Sequence, residues 1–192
     1  MRKVVGLISV ILGVVCLLGS LSLVIYNHFE DKNAAEVSRA MLEDLKTAIH
    51  ENKVSLDNHQ SEMPTIMVDG YECIGYLSIP SLNLELPVLT DWSYDKLKKA
   101  PCLYYGSYFE KNFVIAAHNY KSHFGRLSEL HKGDKVIFTN VVGKAYKYEV
   151  ILLETLQSKA TEEMLTSGFD LSLYTCTPGG ASRVTVRCNA AN

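Results

Sequence analysis

Residues 171–188 read Leu-Ser-Leu-Tyr-Thr-Cys-Thr-Pro-Gly-Gly-Ala-Ser-Arg-Val-Thr-Val-Arg-Cys. The first six and the last six residues of this segment alternate in character and are rich in types that suit a pleated strand. Between them, Thr177-Pro178-Gly179-Gly180 interrupts the alternation, because proline fixes φ and glycine accepts positive φ. The segment therefore predicts a β-hairpin that sets Cys176 at the end of one strand and brings an arginine of the second strand toward it.

Cys176 is a candidate nucleophile in this hairpin. Only the thiolate form of cysteine attacks carbon, and a nearby guanidinium favours the thiolate because the two charges attract. The second strand carries Arg183 and Arg187, which share a strand face because they lie four residues apart. The alternative is a buried free cysteine beside a surface arginine. Residues elsewhere in the chain must decide between these two interpretations.

The composition argues against several functional classes. The chain has 192 residues, a formal net charge of −2 and five cysteines. This length accommodates one domain and an appendage, and the charge does not favour binding to nucleic acid. An odd number of irregularly spaced cysteines without a Cys-x-x-Cys pair indicates neither a disulfide framework nor a zinc site. We therefore expect no metal site and no cofactor.

The N-terminus predicts a membrane anchor. Residues 4–25 carry no charge and follow Arg2 and Lys3. As a helix they span roughly 33 Å, enough for a bilayer core of about 30 Å. The apolar run is also longer than that of a cleaved signal peptide. Basic residues before the span predict a single-pass protein of the cell membrane with its remaining residues outside the cell.

The chain divides into three predicted regions. Residues 1–28 form the cytoplasmic tail and the transmembrane anchor, 29–65 a helical stalk or linker, and 66–192 the catalytic domain. In the stalk, Val37, Met41 and Leu45 recur at helical spacing. This apolar stripe packs either on the catalytic domain or on a second copy of the chain.

The third region is predicted to be all-β. Alternating segments begin at Tyr71, and a compact apolar run at 113–117 ends at His118. The pattern yields seven or eight strands with short links and few helical turns. Such an arrangement favours a closed β-barrel or a β-sandwich.

With His118, Cys176 and Arg187 in view, the sequence resembles the sortases, the membrane-anchored cysteine transpeptidases of Gram-positive bacteria. Residues 79–88, Ile-Pro-Ser-Leu-Asn-Leu-Glu-Leu-Pro-Val, look like the family's opening pair of strands. Residues 112–118, Asn-Phe-Val-Ile-Ala-Ala-His, look like its histidine strand. Residues 172–176, Ser-Leu-Tyr-Thr-Cys, are similar to the family's Thr-Leu-x-Thr-Cys signature. The resemblance implies a closed eight-stranded β-barrel with short helices behind the anchor and stalk.

The resemblance also implies a chemistry. Cys176 would attack the threonine carbonyl of a Leu-Pro-x-Thr-Gly-type sorting signal and form a thioacyl intermediate. His118 would protonate the leaving amine, and Arg187 would stabilise the oxyanion. The implied partners are surface proteins that carry the signal and an amine on a peptidoglycan precursor. Arg187 matches the family position, so we expect Arg183 to lie outside the site.

Three further residues are expected beside the substrate. Thr175 precedes the nucleophile, Ala117 stands where many sortases have glycine, and Ser172 replaces the usual threonine of the signature. Each is predicted to line the substrate groove. Calcium tunes some sortases, but no acidic cluster in this sequence demands it.

Two other functions are alternatives. An L,D-transpeptidase acting on peptidoglycan also uses cysteine, histidine and arginine, but its cysteine usually follows Ser-x-Gly, whereas Tyr174-Thr175 precedes Cys176 here. The second alternative is a non-catalytic, membrane-anchored binding domain. The sequence lacks the Asp-Pro-aromatic lid motif of pilin polymerases, which favours cell-wall anchoring as the role.

Overall fold

The computed structural model describes residues 2–51 and 63–191 of the chain. Helix α1 covers Arg2–Glu51, and two short helices follow, α2 (Tyr94–Leu97) and α3 (Thr161–Leu165). Short 3-10 turns cover Pro80–Leu82 and Leu127–Glu129. The strands are β1 (Ile66–Val68), β2 (Tyr71–Ile79), β3 (Leu84–Leu89), β4 (Cys102–Tyr105), β5 (Phe113–Ala116), β6 (Lys135–Asn140), β7 (Ala145–Gln157), β8 (Leu171–Cys176) and β9 (Ser182–Ala190).

The strands form a closed barrel. Their order is β1-β2-β3-β4-β5-β8-β9-β7-β6, and β2 also pairs with β6, which closes the sheet on itself. Strand β1 is a three-residue extension beside β2, so eight strands make up the barrel wall. Two pairs are parallel, β3 with β4 and β5 with β8, and the others are antiparallel. The predicted eight-stranded barrel is confirmed.

Closure depends on a glycine in β2. Gly75 pairs with Val88 of β3 on one side and with Asn140 of β6 on the other. Its φ is 151°, a value that L-residues rarely adopt, and a Cβ there would lie 2.8 Å from Asn140 Cα and closer still to the carbonyl oxygen of Thr139. At Gly75 the backbones of β2 and β6 therefore approach each other too closely to leave room for a side chain.

The barrel interior is filled by side chains. Aliphatic residues from every wall strand and from both 3-10 turns pack with an aromatic group formed by Tyr108, Phe113 and Phe138. On β8, Leu171 and Leu173 point inward, whereas Tyr174 belongs to a separate cluster on the outer face. This alternation decides which β8 side chains reach the surface.

The chain forms two compact units, residues 1–33 and 34–192. In the first, the side chains of residues 4–29 are exposed, and α1 is the one described helix long and apolar enough to cross a membrane. In the second, Met41 and Leu45 of α1 are buried against a cluster that includes Leu89 and Cys102. The stripe of the predicted stalk therefore packs on the barrel. Residues 52–62, at the end of that predicted stalk, lie outside the described residues.

Candidate active site

The hairpin at the end of the chain has the predicted form, and its register decides the site. Strand β8 ends at Cys176 and β9 begins at Ser182. The hydroxyl of Thr177 donates to the carbonyl of Ser182, and the Ser182 N–H donates back to that hydroxyl, both at 3.1 Å. This tight turn pairs Cys176 with Arg183 directly across the two strands.

Cys176 is the accessible thiol of the barrel. It is exposed, whereas Cys73, Cys102 and Cys188 are completely buried. Burial raises the pKa of each of these three thiols to about 12, because a thiolate would lose its hydration in the core. The buried thiols thus stay protonated at neutral pH, which leaves Cys176 as the candidate nucleophile within the barrel.

His118 approaches the same point from the other side of β8. The parallel register pairs Ala116 with Tyr174, and the Ala117 N–H donates to the Tyr174 carbonyl at 3.1 Å. Residue 118 lies two residues after Ala116, and residue 176 lies two residues after Tyr174. The two positions are therefore level across the neighbouring strands. Adjacent strands lie about 4.8 Å apart, so the two side chains start from neighbouring chain segments at the same end of the barrel.

The imidazole of His118 is oriented by its neighbours. Its Nδ1 lies 3.0 Å from Asn119 Oδ1, and its ring stacks on Tyr120 at 4.1 Å with an interplanar angle of 10°. An amide oxygen only accepts, so Nδ1 carries a proton in this contact. In the neutral ring Nε2 is then the basic nitrogen, the form that a general base requires.

Arg183 lies on the opposite side of Cys176 from His118. Its guanidinium sits over the ring of Tyr174 at 5.6 Å. Its Nη1 donates to the carbonyls of Gln157, at 3.4 Å, and Ser158. Both acceptors are backbone carbonyl oxygens, so this guanidinium already binds the kind of group that a peptide substrate presents.

The prediction that Arg187 lies beside Cys176 is wrong. Arg187 pairs with Ser172, four residues back along β8, which is roughly 13 Å from the thiol at strand spacing. It is 1% exposed, and its Nε donates to Glu154 Oε1 at 2.7 Å. Arg183 and Arg187 share one face, so alternation alone could not separate them. Counting pairs outward from the tight turn would have selected Arg183.

Comparison with known proteins identifies the family. The sortase domain family matches residues 77–191, which is more than half of the chain. The chain belongs to the sortase family. A sortase D of Bacillus subtilis (strain 168) is 29% identical over 110 residues, covering 51% of this chain and 55% of that protein. The match thus spans little more than half the length of this relative.

Solved structures share the fold of this sortase. A sortase D5 transpeptidase of Clostridium perfringens superposes with a TM-score of 0.65 at 18% identity, covering 82% of this chain and 99% of that one. A Clostridium perfringens sortase C, solved with the C-terminal cell wall sorting motif, has a TM-score of 0.57 at 22% identity and covers 88% and 99%. At these identities the likeness establishes the barrel and its strand order.

The three residues predicted to line the sortase groove are all buried. Thr175 donates its hydroxyl to the Ala117 carbonyl at 2.9 Å, which fastens β8 to the end of β5. Ser172 is completely buried and accepts a hydrogen bond from Arg187 Nη1 at 2.8 Å. These residues hold the strands that carry His118 and Cys176 and are buried beside the thiol; that they line the substrate groove stays a prediction.

The sequence interpretation missed a buried apolar cluster next to the thiol. Met164 of α3 packs on the outer face of the barrel against Val114, Ala116 and Tyr174. Tyr104 meets Tyr174 edge to face, with ring centroids 5.3 Å apart. Tyr174 lies two residues before Cys176 and so points to the same side of β8, a signal that strand alternation already contained.

The described part of the sortase contains no group of three or more His, Cys, Asp and Glu side chains placed to hold a metal ion. The candidate site consists of a thiol, an imidazole and a guanidinium. Such a set can perform nucleophilic acyl transfer with proton exchange and oxyanion stabilisation.

Proposed function

We propose that this sortase is a cysteine transpeptidase that cleaves a C-terminal Leu-Pro-x-Thr-Gly-type sorting signal of surface proteins and transfers the protein to an amine of the cell wall. The observation that carries the proposal is the strand order β5-β8-β9. It sets His118, Cys176 and Arg183 at one end of three adjacent strands. The Clostridium perfringens sortase C that was solved with the C-terminal cell wall sorting motif supports a sorting peptide as the substrate class.

The proposed reaction has two halves. The Cys176 thiolate attacks the threonine carbonyl carbon, and the tetrahedral intermediate collapses as the carbon–nitrogen bond to glycine breaks. His118 gives its proton to the departing amine, so the product is a thioester on Cys176. The acceptor amine then attacks the thioester carbonyl, the carbon–sulfur bond breaks, and the amine loses a proton to His118, which restores the thiolate and the imidazolium.

In this proposal Arg183, not Arg187, stabilises the oxyanion. It lies opposite Cys176 in the register and already donates to two backbone carbonyls. Its charge persists at any working pH, and its donors are held in a planar fork. A bound substrate would replace the carbonyls of Gln157 and Ser158 with one of its own, so the guanidinium would make the same type of hydrogen bond.

The proposal includes membrane anchoring. Helix α1 is long and apolar enough to cross a bilayer, and Arg2 and Lys3 precede its apolar run. The excess of positive charge before the span favours a cytoplasmic N-terminus. The barrel would then face the cell wall, where both surface proteins and the acceptor amine are found.

The test uses the full chain in detergent micelles and a fluorescence-quenched Leu-Pro-x-Thr-Gly peptide library, with glycine oligomers and diaminopimelic acid as amines. We expect cleavage, an amine-linked product and a peptide mass attached to Cys176 by mass spectrometry. Cys176→Ala should lower the rate by about 1,000-fold or more, since no other group supplies the nucleophile. Cys16→Ala, which removes another exposed thiol, should retain full activity. Cleavage of a peptidoglycan stem peptide alone, or turnover by Cys176→Ala, would refute the proposal.

A further inference from the structure

Arg187 is the largest completely buried side chain of the barrel unit, and the proposed reaction does not use it. A buried guanidinium keeps its charge, so it must be paired and hydrogen-bonded to be tolerated. The Glu154 carboxylate on β7 supplies the opposite charge, with its Oε1 2.7 Å from Arg187 Nε. The Ser172 hydroxyl on β8 accepts a hydrogen bond from Arg187 Nη1 at 2.8 Å. These two contacts fix the guanidinium on the outer face of the sheet.

Its remaining contacts lie in residues 158–170, the connecting segment between β7 and β8. Arg187 Nη2 donates to the Glu163 carbonyl at 2.8 Å, and Nη1 lies 3.5 Å from the Met164 carbonyl and 3.8 Å from its sulfur. The guanidinium also sits 5.9 Å from the ring of Phe169. One side chain thus ties the connecting segment to two strands of the barrel.

Other hydrogen bonds fasten the two ends of the connecting segment: the Ser158 carbonyl accepts from Arg183, the Gly168 N–H donates to Asn112, and residue 170 bonds to β9. The middle of the segment, around α3, has little else to hold it in place. Met164 is its one buried residue, and the others are half-buried or exposed. On the side of Arg187 and Glu154 the segment borders an open cleft of about 990 Å³, so no packed core supports it there. Backbone carbonyls that bind a fixed guanidinium give the segment a defined position that apolar packing does not provide.

The position of the segment matters for the reacting groups. Met164 packs against Tyr174, which lies beneath the guanidinium of Arg183 and two residues before Cys176. A shift of α3 would therefore disturb the apolar cluster beside the thiol but leave the thiol on its own strand. Binding of a peptide would change, whereas the chemistry of Cys176 would not.

We propose that Arg187 is a positioning residue: by binding the carbonyls of Glu163 and Met164 it holds the connecting segment so that Met164 stays packed against Tyr174, at the small pocket beside Arg183 where we expect the peptide to bind. The kinetic part of this proposal depends on the proposed sortase activity. The structural part concerns the connecting segment alone and does not depend on that activity.

The experiment compares Arg187→Lys with Arg183→Lys in the full chain. Lysine keeps the charge for Glu154 but loses the fork that reaches two carbonyls. In Arg187→Lys we expect amide hydrogen exchange in residues 163–169 to accelerate roughly tenfold and the KM for a sorting peptide to rise by a similar factor, with kcat within about twofold of wild type. In Arg183→Lys we expect kcat to fall at least tenfold, with exchange at 163–169 unchanged.

Two variants keep the test decisive. Glu154→Gln removes the anionic partner, which is 31% exposed, and should give a smaller change of the same kind even if Arg187→Lys fails to fold. Ser172→Ala should behave likewise. If amide hydrogen exchange at residues 163–169 is unchanged in these variants, the proposal is overturned. It is also overturned if KM is unchanged and kcat falls only in proportion to the fraction of folded protein. If wild type cleaves no sorting peptide, the proposed function fails, and the exchange measurement alone decides the role of Arg187.

Discussion

At the scale of single residues, exposure distinguishes the cysteines of the barrel. Cys176 ends β8 in solvent, while Cys73, Cys102 and Cys188 are enclosed by apolar side chains. Burial removes access for a reagent and also raises the pKa of these three thiols to about 12. Both effects suppress thiolate chemistry at the buried positions.

We predict that methanethiosulfonate labels Cys176 before any other cysteine of the barrel. At pH 7.5 the three buried thiols should react at least about 100-fold more slowly, because they must first be exposed by unfolding. Peptide mapping by mass spectrometry measures each site in the full chain. In urea the four sites should react at similar rates, which serves as the control. Early labelling of Cys73, Cys102 or Cys188 in the folded protein would contradict this.

At the scale of the element, strand β2 closes the barrel through a position that only glycine fits. Gly75 has neighbours on both sides, and its φ of 151° lies outside the range of ordinary residues. A side chain would meet backbone atoms of Thr139 and Asn140, which cannot rotate away. Strand β2 must therefore shift away from β6 to accept any larger residue.

We predict that Gly75→Ala lowers the free energy of unfolding by about 3 kcal/mol or more, since it adds steric overlap to backbone strain. Gly133→Ala is the matched control, because Gly133 also has a positive φ, of 97°, but open space around its Cα. That variant should lose only about 1 kcal/mol. Urea unfolding followed by far-UV circular dichroism measures both. Equal losses would show that overlap with β6 is unimportant.

At the scale of the whole molecule, the barrel core buries groups that ionise only in alkaline solution. Besides the three thiols, Tyr108 is buried, and desolvation raises its pKa to about 12. Desolvation also raises the pKa of Tyr148 and Tyr174. A group whose pKa is raised by folding stabilises the native state fully below its unfolded pKa. That stabilisation is lost as the pH rises through the folded pKa.

We predict that the free energy of unfolding falls as the pH rises from 9 toward 12. The unfolded thiols ionise near their ordinary pKa of 9.0, whereas the folded ones remain protonated up to about 12. Each thiol then contributes a loss of about 1.4 kcal/mol per pH unit. Urea titrations at pH 7.5 and 10.5 measure the change. Cys73→Ala should show a smaller difference between the two pH values, although it is less stable at both, and equal stability of wild type at both would contradict the prediction.

Much of this protein follows from local pattern. The choice of an eight-stranded barrel over a sandwich came from the resemblance to the sortases. The uncharged run at 4–25, the alternating segments and the tight turn at 177–180 predicted the long apolar helix, the strands and the hairpin. These features depend on residues near one another in the chain, so periodicity and turn chemistry are sufficient to recognise them. The position of Cys176 at the end of β8 has the same origin, whereas its exposure was decided by the fold.

Tertiary structure decided most of the neighbours of that cysteine. Alternation tells which face a residue occupies but not its height along the partner strand, so it could not separate Arg183 from Arg187, and the register set by the tight turn did. The same applies to Ser172, which binds Arg187, and to Thr175, which fastens β8 to β5. Whether the stripe at Met41 and Leu45 would meet the barrel or another chain also required the complete fold. Contacts between residues distant in sequence depend on how the barrel closes, and a pattern of period two contains no such information.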